Sequence, residues 1–97
     1  MKVRMKEPRT ERILVERARD GDREAFGRLV ERYRERLDAL VAARMGKLGR
    51  GAAEVADITQ ETFARALRSI ESFRWQGEES FLRWLAGIAE NLIAKAA

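Results

Sequence analysis

Residues 26–41 read FGRLVERYRERLDALV. Phe26, Leu29, Val30, Tyr33, Leu37, Leu40 and Val41 recur at intervals of three and four, which at about 100° per residue places them on one stripe of an α-helix. Charged residues fill most of the positions between them, and the period-two alternation of a strand is absent. Asp22 stands where an N-cap belongs, so this helix is expected to start just after it and run to about Met45. A helix with so complete an apolar stripe needs partners to bury it. The rest of the chain is therefore read outward from here.

Upstream, the turn Asp20-Gly21-Asp22 ends an earlier helix, expected from an N-cap at Thr10 to Arg19 with Ile13, Leu14 and Ala18 inward. Residues 1–9 form a basic, flexible segment with no apolar signal core behind it. Downstream, GKLGRGAAE (residues 46–54) is expected to be a flexible connection. A third helix follows from about Val55 to Ser72, with Ile58, Phe63, Ala66, Leu67 and Ile70 inward. The turn RWQGEE (residues 74–79) precedes a fourth helix whose core face is Phe81, Trp84, Leu85, Ile88, Ala89 and Leu92. The expected fold is all-α, a compact bundle of four helices forming one domain over residues 10–97, with no internal repeat.

Composition narrows the function. The 45% hydrophobic content suits a globular chain, and 37% charged residues suits helices whose outer faces carry ion pairs. The absence of Cys and His excludes a disulfide framework and the common zinc-ligand sets, and nothing in the sequence calls for a cofactor. No apolar run approaches the ~20 residues that span a bilayer, so a membrane role is not expected and the cytoplasm is. The net charge of +4 is uneven: residues 1–50 hold 15 Lys/Arg against 9 Asp/Glu, whereas residues 51–97 hold 5 against 7. A basic chain meets polyanions or simply carries an Arg-rich solvated surface; charge alone leaves both open. The carboxylate pairs Asp57/Glu61 and Glu78/Glu79 sit near helix beginnings, where acids offset the macrodipole, and GKLGRG lacks the Walker spacing. An enzyme is not expected.

On the third helix Asp57, Glu61, Arg65 and Arg68 share one stripe, with Gln60 and Ala64 beside it. This can be an ordinary exposed face, with Glu61 and Arg65 contributing ~0.3 kcal/mol at i,i+4. It can equally be a patch that docks on a basic partner, and periodicity does not choose.

Three blocks together resemble a known family: LVERARDGDREAFGRLVERYRERL from Leu14, DITQETFARALRSIESFR from Asp57, and SFLRWLAGIAENLI from Ser80. In order and spacing they are similar to region 2 of the extracytoplasmic-function sigma factors, the promoter-recognition subunits of bacterial RNA polymerase. The resemblance implies a transcription initiation domain that binds the polymerase and takes part in recognition and melting of the −10 promoter element. It makes Asp57, Gln60 and Glu61, with Arg65 and Arg68 beside them, the candidate contact to the clamp coiled coil of the β′ subunit. It makes the last helix the face for the opened, single-stranded −10 DNA, with Asn91 at a position that reads DNA; an exposed helical Asn is the plainer alternative. Arg83, Lys95 and Arg74 are the cations available there, and Trp75, in the turn and off any stripe, is the better candidate for an exposed aromatic near melted DNA, its alternative being to cover the third helix. Trp84 and Phe81 fall on the core stripe, and Tyr33 is expected in the core with its hydroxyl at the rim. The family's basic or aromatic residues are replaced at Ala86, Gly87 and Glu90, so weak DNA binding by this chain is expected. The chain ends at IAKAA, before the strand-trapping segment and the second domain (region 4) of the family, and a truncated sigma factor is expected. The rival reading is a helical protein-interaction module whose main partner is an anti-sigma factor.

Overall fold

The computed structural model describes residues 8–96. They form α1 (Pro8–Arg19), α2 (Arg23–Gly46), α3 (Ala52–Ser69), a single 3-10 turn (Ile70–Ser72) and α4 (Ser80–Ala96), with no strand among them. The expected all-α bundle of four helices is what the chain adopts. Of the basic segment expected over residues 1–9, residues 1–7 lie outside the described residues.

The 24-residue α2 is the axis of the packing. Among the described residues it is the only helix in contact with each of the other three. Leu29, Leu37 and Val41 are fully buried along it, joined by Ala25, Phe26, Tyr33 and Met45. Asp22 caps it as expected: the carboxylate accepts from the Ala25 backbone N–H at 3.1 Å. Gly21, at φ +100°, supplies the left-handed residue that the turn out of α1 needs. Val30 and Leu40, expected on the inner stripe, are only half-buried at its edges.

Helix boundaries differ from the expectation at three places, one being the end of the third helix, whose last expected turn, Ile70–Ser72, is 3-10. Thr10 is not an N-cap, because α1 begins at Pro8, whose fixed φ and missing N–H suit a first helical position. The 46–54 connection is also shorter than expected. Gly46 completes α2, and Ala52, Ala53 and Glu54 already belong to α3, since Ala and Glu are strong helix formers once Gly51 is passed.

The inward face of α1 is rotated from its expected register. Ile13 is 46% exposed, whereas Glu11, Leu14, Val15 and Ala18 are buried. Those four follow the i, i+3, i+4, i+7 pattern, with a Glu in a position that an apolar residue would ordinarily hold. The Glu11 carboxylate faces α2, where it pairs with Arg32 at 3.6 Å. Tyr33 is 2% exposed, so its hydroxyl is not at the rim. Burial first, and the facing Glu11 carboxylate second, push the Tyr33 phenol well above its ordinary range, with Arg32 and Arg36 opposing.

Around α2 the core is closed by Phe63, Ala66 and Ile70 from α3 and its 3-10 extension, and by Phe81, Leu85, Ala89 and Ile93 from α4. Phe73, in the turn between them, is buried and meets Phe81 edge-on at 5.4 Å between ring centroids. Two arginines tie α4 to the α2 side. Arg44 pairs with Glu90, and Arg50 donates to the Ala96 carbonyl at 3.0 Å while pairing with Glu54 at 2.6 Å.

Truncating fully buried Leu85 to Ala, or Phe63 to Ala, should cost on the order of 2–5 kcal/mol. Ile13→Ser should stay within about 0.5 kcal/mol, because its side chain is already wet. Urea melts of the three variants check this ordering. Tyr33 offers a second test because it is the single tyrosine in the chain. An unfolded tyrosine loses its proton near pH ~10, but the folded phenol keeps it, so the unfolded chain binds fewer protons above that pH. Stability is then present below that range and falls as pH rises through it. In an alkaline titration, phenolate absorbance should appear together with the loss of helical circular dichroism; phenolate forming in the folded chain would contradict this burial.

Candidate functional site

Two polar faces remain once the core is assigned. The first is on α3. Thr59, Thr62, Phe63 and Ala66 are buried, and Thr62 donates its hydroxyl to the Ile58 carbonyl at 2.7 Å rather than leaving it unpaired in the core. Fixing that inner side leaves Asp57, Gln60, Arg65 and Arg68 exposed and Glu61 half-exposed on the other. The structure brings all five onto one face, as the spacing indicates.

Glu61 is the hub of this face. Its Oε2 accepts from Arg65 Nε at 3.3 Å and lies 3.4 Å from Arg68 Nη2. With roughly half of each side chain open to solvent, these pairs contribute less than about 1 kcal/mol to folding. Asp57 has no ion-pair partner among the described residues. The face therefore presents one free carboxylate, one amide, and one carboxylate shared between two guanidinium groups.

The second face is on α4. Its buried row is Phe81, Leu85, Ala89, Leu92 and Ile93. On the opposite side Arg83, Gly87, Asn91, Ala94 and Lys95 are exposed, with Trp84 and Ile88 half-buried at the border. Arg83 and Lys95 stand about 18 Å apart along the helix axis, with Asn91 between them. Trp84 is held by Phe73, 4.9 Å away between ring centroids, and by Phe81 at 5.7 Å. It anchors the edge of the face, although the core stripe alone suggested deeper burial.

The turn residues divide. Arg74 is exposed. Trp75 is half-buried and packed against the core, so it is not the freely exposed aromatic that the sequence suggested; being two residues from buried Phe73 draws its indole onto the bundle. The turn is fixed by Gly77 at φ +102°, by the Gln76 N–H donating to the Ser80 hydroxyl at 3.1 Å, and by Glu79 in the left-handed region at φ 71°.

One feature of the α4 face is invisible in a charge count. Glu90 is engaged by Arg44 of α2, so its negative charge is offset by a neighbour instead of opposing an anion at Arg83 and Lys95. No sequence signal joins Arg44 to Glu90, because the pair bridges two helices 46 residues apart. The buried Glu11–Arg32 pair was also missed, although the spacing of Glu11 with Leu14, Val15 and Ala18 carries it.

Comparison with known proteins agrees with this arrangement. Residues 29–97 match the family described as Sigma-70 region 2. The chain belongs to that family, in its extracytoplasmic-function branch. It is 46% identical over 81 residues to the ECF RNA polymerase sigma factor BldN of Streptomyces coelicolor, covering 84% of this chain and 29% of that protein. It is 41% identical over 87 residues to the ECF RNA polymerase sigma-E factor of Haemophilus influenzae, covering 90% of this chain and 42% of that one. The chain thus spans less than half the length of these relatives. Among solved structures, an engineered region 2 of sigmaE in complex with GTAAAA superposes with a TM-score of 0.70 at 33% identity, covering 89% of this chain and 88% of the other.

Proposed function

We propose that this domain is a transcription initiation module that docks on RNA polymerase through α3 and engages the opened −10 promoter strand through α4, without turnover chemistry, in the cytoplasm. The observation that carries the reading is the exposed row Arg83, Asn91 and Lys95 on α4, in a fold whose solved relative was captured with GTAAAA. Asn91 offers a donor and an acceptor to an unpaired base edge, and its position between two cations holds it at the depth of a strand whose phosphates those cations contact. Trp84 and Ile88 give the bases an apolar border.

The α3 face suits the other role. Asp57, Gln60 and Glu61 stand on a rigid helix, so the β′ clamp coiled coil would meet preset donors and acceptors with little ordering left to do. Such a patch sets register and association rate more than raw affinity, as a subunit that is exchanged requires. Arg65 and Arg68 hold the Glu61 carboxylate in place until a partner cation competes for it.

Asp57→Ala combined with Glu61→Ala should weaken binding to the isolated β′ clamp coiled coil while leaving helical content unchanged, with stability moving by no more than about 0.5–1 kcal/mol. Unchanged affinity in a calorimetric titration would remove α3 from the interface. For the second role, fluorescence anisotropy with a labelled GTAAAA oligonucleotide should give weak binding with a shallow salt slope, since only about two phosphates are neutralised. Asn91→Ala should weaken that binding and leave a scrambled oligonucleotide unaffected. Tight, steeply salt-dependent binding that prefers duplex would overturn the assignment of α4.

A further inference from the structure

A groove of about 1070 Å³ runs along the side of α2, bounded by α1 at Glu11 and by the turn at Glu78 and Glu79. Its charged lining is Glu11, Glu24, Glu31, Glu78 and Glu79 against Arg28, Arg32 and Arg36. Each arginine is already engaged: Arg28 with Glu24 at 3.5 Å, Arg32 with Glu11 at 3.6 Å, and Arg36 with Glu79 at 2.7 Å. Arg36 is further fixed over the Tyr33 ring, 5.7 Å from its centroid. Glu31 and Glu78 are left with no ion-pair partner among the described residues, so the groove, with five carboxylates against three guanidinium groups, is net acidic in a chain whose overall charge is +4.

A second observation concerns the groove's floor. Glu11 is 5% exposed, and its Oε2 atom is buried with no hydrogen-bond partner. Arg32 Nη1 beside it is a buried donor with none either. Buried polar atoms are almost always partnered, and an orphaned charged pair costs more than a neutral one. The floor therefore lacks one donor and one acceptor, while the rim lacks two cations. A peptide carrying Arg or Lys supplies all of these. Its side-chain cations meet Glu31 and Glu78 at the rim, and a small opening of the Glu11–Arg32 pair would let an N–H reach Glu11 and a main-chain carbonyl reach Arg32. A nucleic acid supplies none of the cations and is repelled by the unpaired carboxylates.

We propose that this groove is a docking site for a basic segment of a partner protein. The site lies on α1, α2 and the 78–79 turn, and it stands whether or not α3 and α4 carry the roles proposed above.

The probe is a fluorescein-labelled peptide of alternating Gly and Arg, capped at both ends, titrated into the 97-residue chain and followed by anisotropy and by amide chemical shifts. The chain's overall charge of +4 repels such a peptide, so binding requires a local acidic site. Binding should perturb the amides of Gly27, Glu31 and Glu78. Glu31→Gln with Glu78→Gln should weaken it roughly tenfold, the combined effect of two partly screened ion pairs. Both residues are exposed, so the fold is not at risk, and Glu71→Gln outside the groove serves as the control that leaves affinity unchanged. Equal affinity of the parent and the double variant overturns the proposal, as do shifts confined to α3 or α4. Spermidine competing at the peptide's own affinity would make this a free polyamine site and overturn the peptide assignment. A gain in peptide affinity on neutralising Lys2, Arg4 and Lys6 that exceeds the gain on neutralising Lys47, Arg83 and Lys95, three exposed cations outside the groove, would assign the groove to this chain's own amino-terminal segment and overturn the partner.

Discussion

The structure depends on one helix having an unbroken apolar stripe. α2 is the shared wall against which α1, α3 and α4 each pack; among the described residues α1 meets α2 and the 3-10 turn after α3, and packs on neither α3 nor α4 themselves. Leu29, Leu37, Val41 and Met45 lie along that stripe with essentially no exposure. A short α1 of twelve residues could not persist alone, and the burial of Leu14, Val15 and Ala18 on α2 is what keeps it helical. α3 and α4 both pack on α2 and expose their far sides.

This arrangement separates the work of holding the fold from the work of meeting partners. The inner rows of α3 and α4 supply packing, and their outer rows are free to carry chemistry at little cost to stability. Asp57, Gln60 and Glu61 on one helix and Arg83, Asn91 and Lys95 on the other are all on outer rows. Positioning comes instead from a few long-range contacts. Arg44 holds Glu90, Arg50 holds the last turn of α4, and Phe73 sits under Trp84. Each fixes a helix end or edge without occupying the exposed face.

Much of this was legible in the sequence wherever a single helical period governed the outcome. Most of the α2 and α4 stripes, the Asp22 cap and the common face of Asp57, Glu61, Arg65 and Arg68 follow from spacing, although Val30, Leu40, Trp84 and Ile88 lie at the stripe borders and Ile93 is buried without having been expected. The register of α1 failed because residue type was weighed above spacing: Ile13 looks apolar and points to water, while Glu11 looks polar and is buried. Trp75 failed for another reason. It sits in a turn, where no period applies, and its neighbour Phe73 is buried by tertiary contacts alone. The pairing of Glu90 with Arg44 was equally out of reach, since nothing local encodes a contact between helices. The roles of the exposed residues came from likeness to a family, because an outer row constrains residue identity too little for spacing to reveal function.

Glu61 already has two guanidinium groups at its carboxylate, and this alters how the α3 face would respond to its surroundings. An incoming cation must displace Arg65 or Arg68 instead of neutralising a bare charge. Added salt loosens the internal pairs and the external one alike, so the two effects partly cancel. An interface built this way is buffered: its strength should vary less with ionic strength than a count of its charges implies. Asp57, with no such internal partner, would carry most of the salt sensitivity that remains.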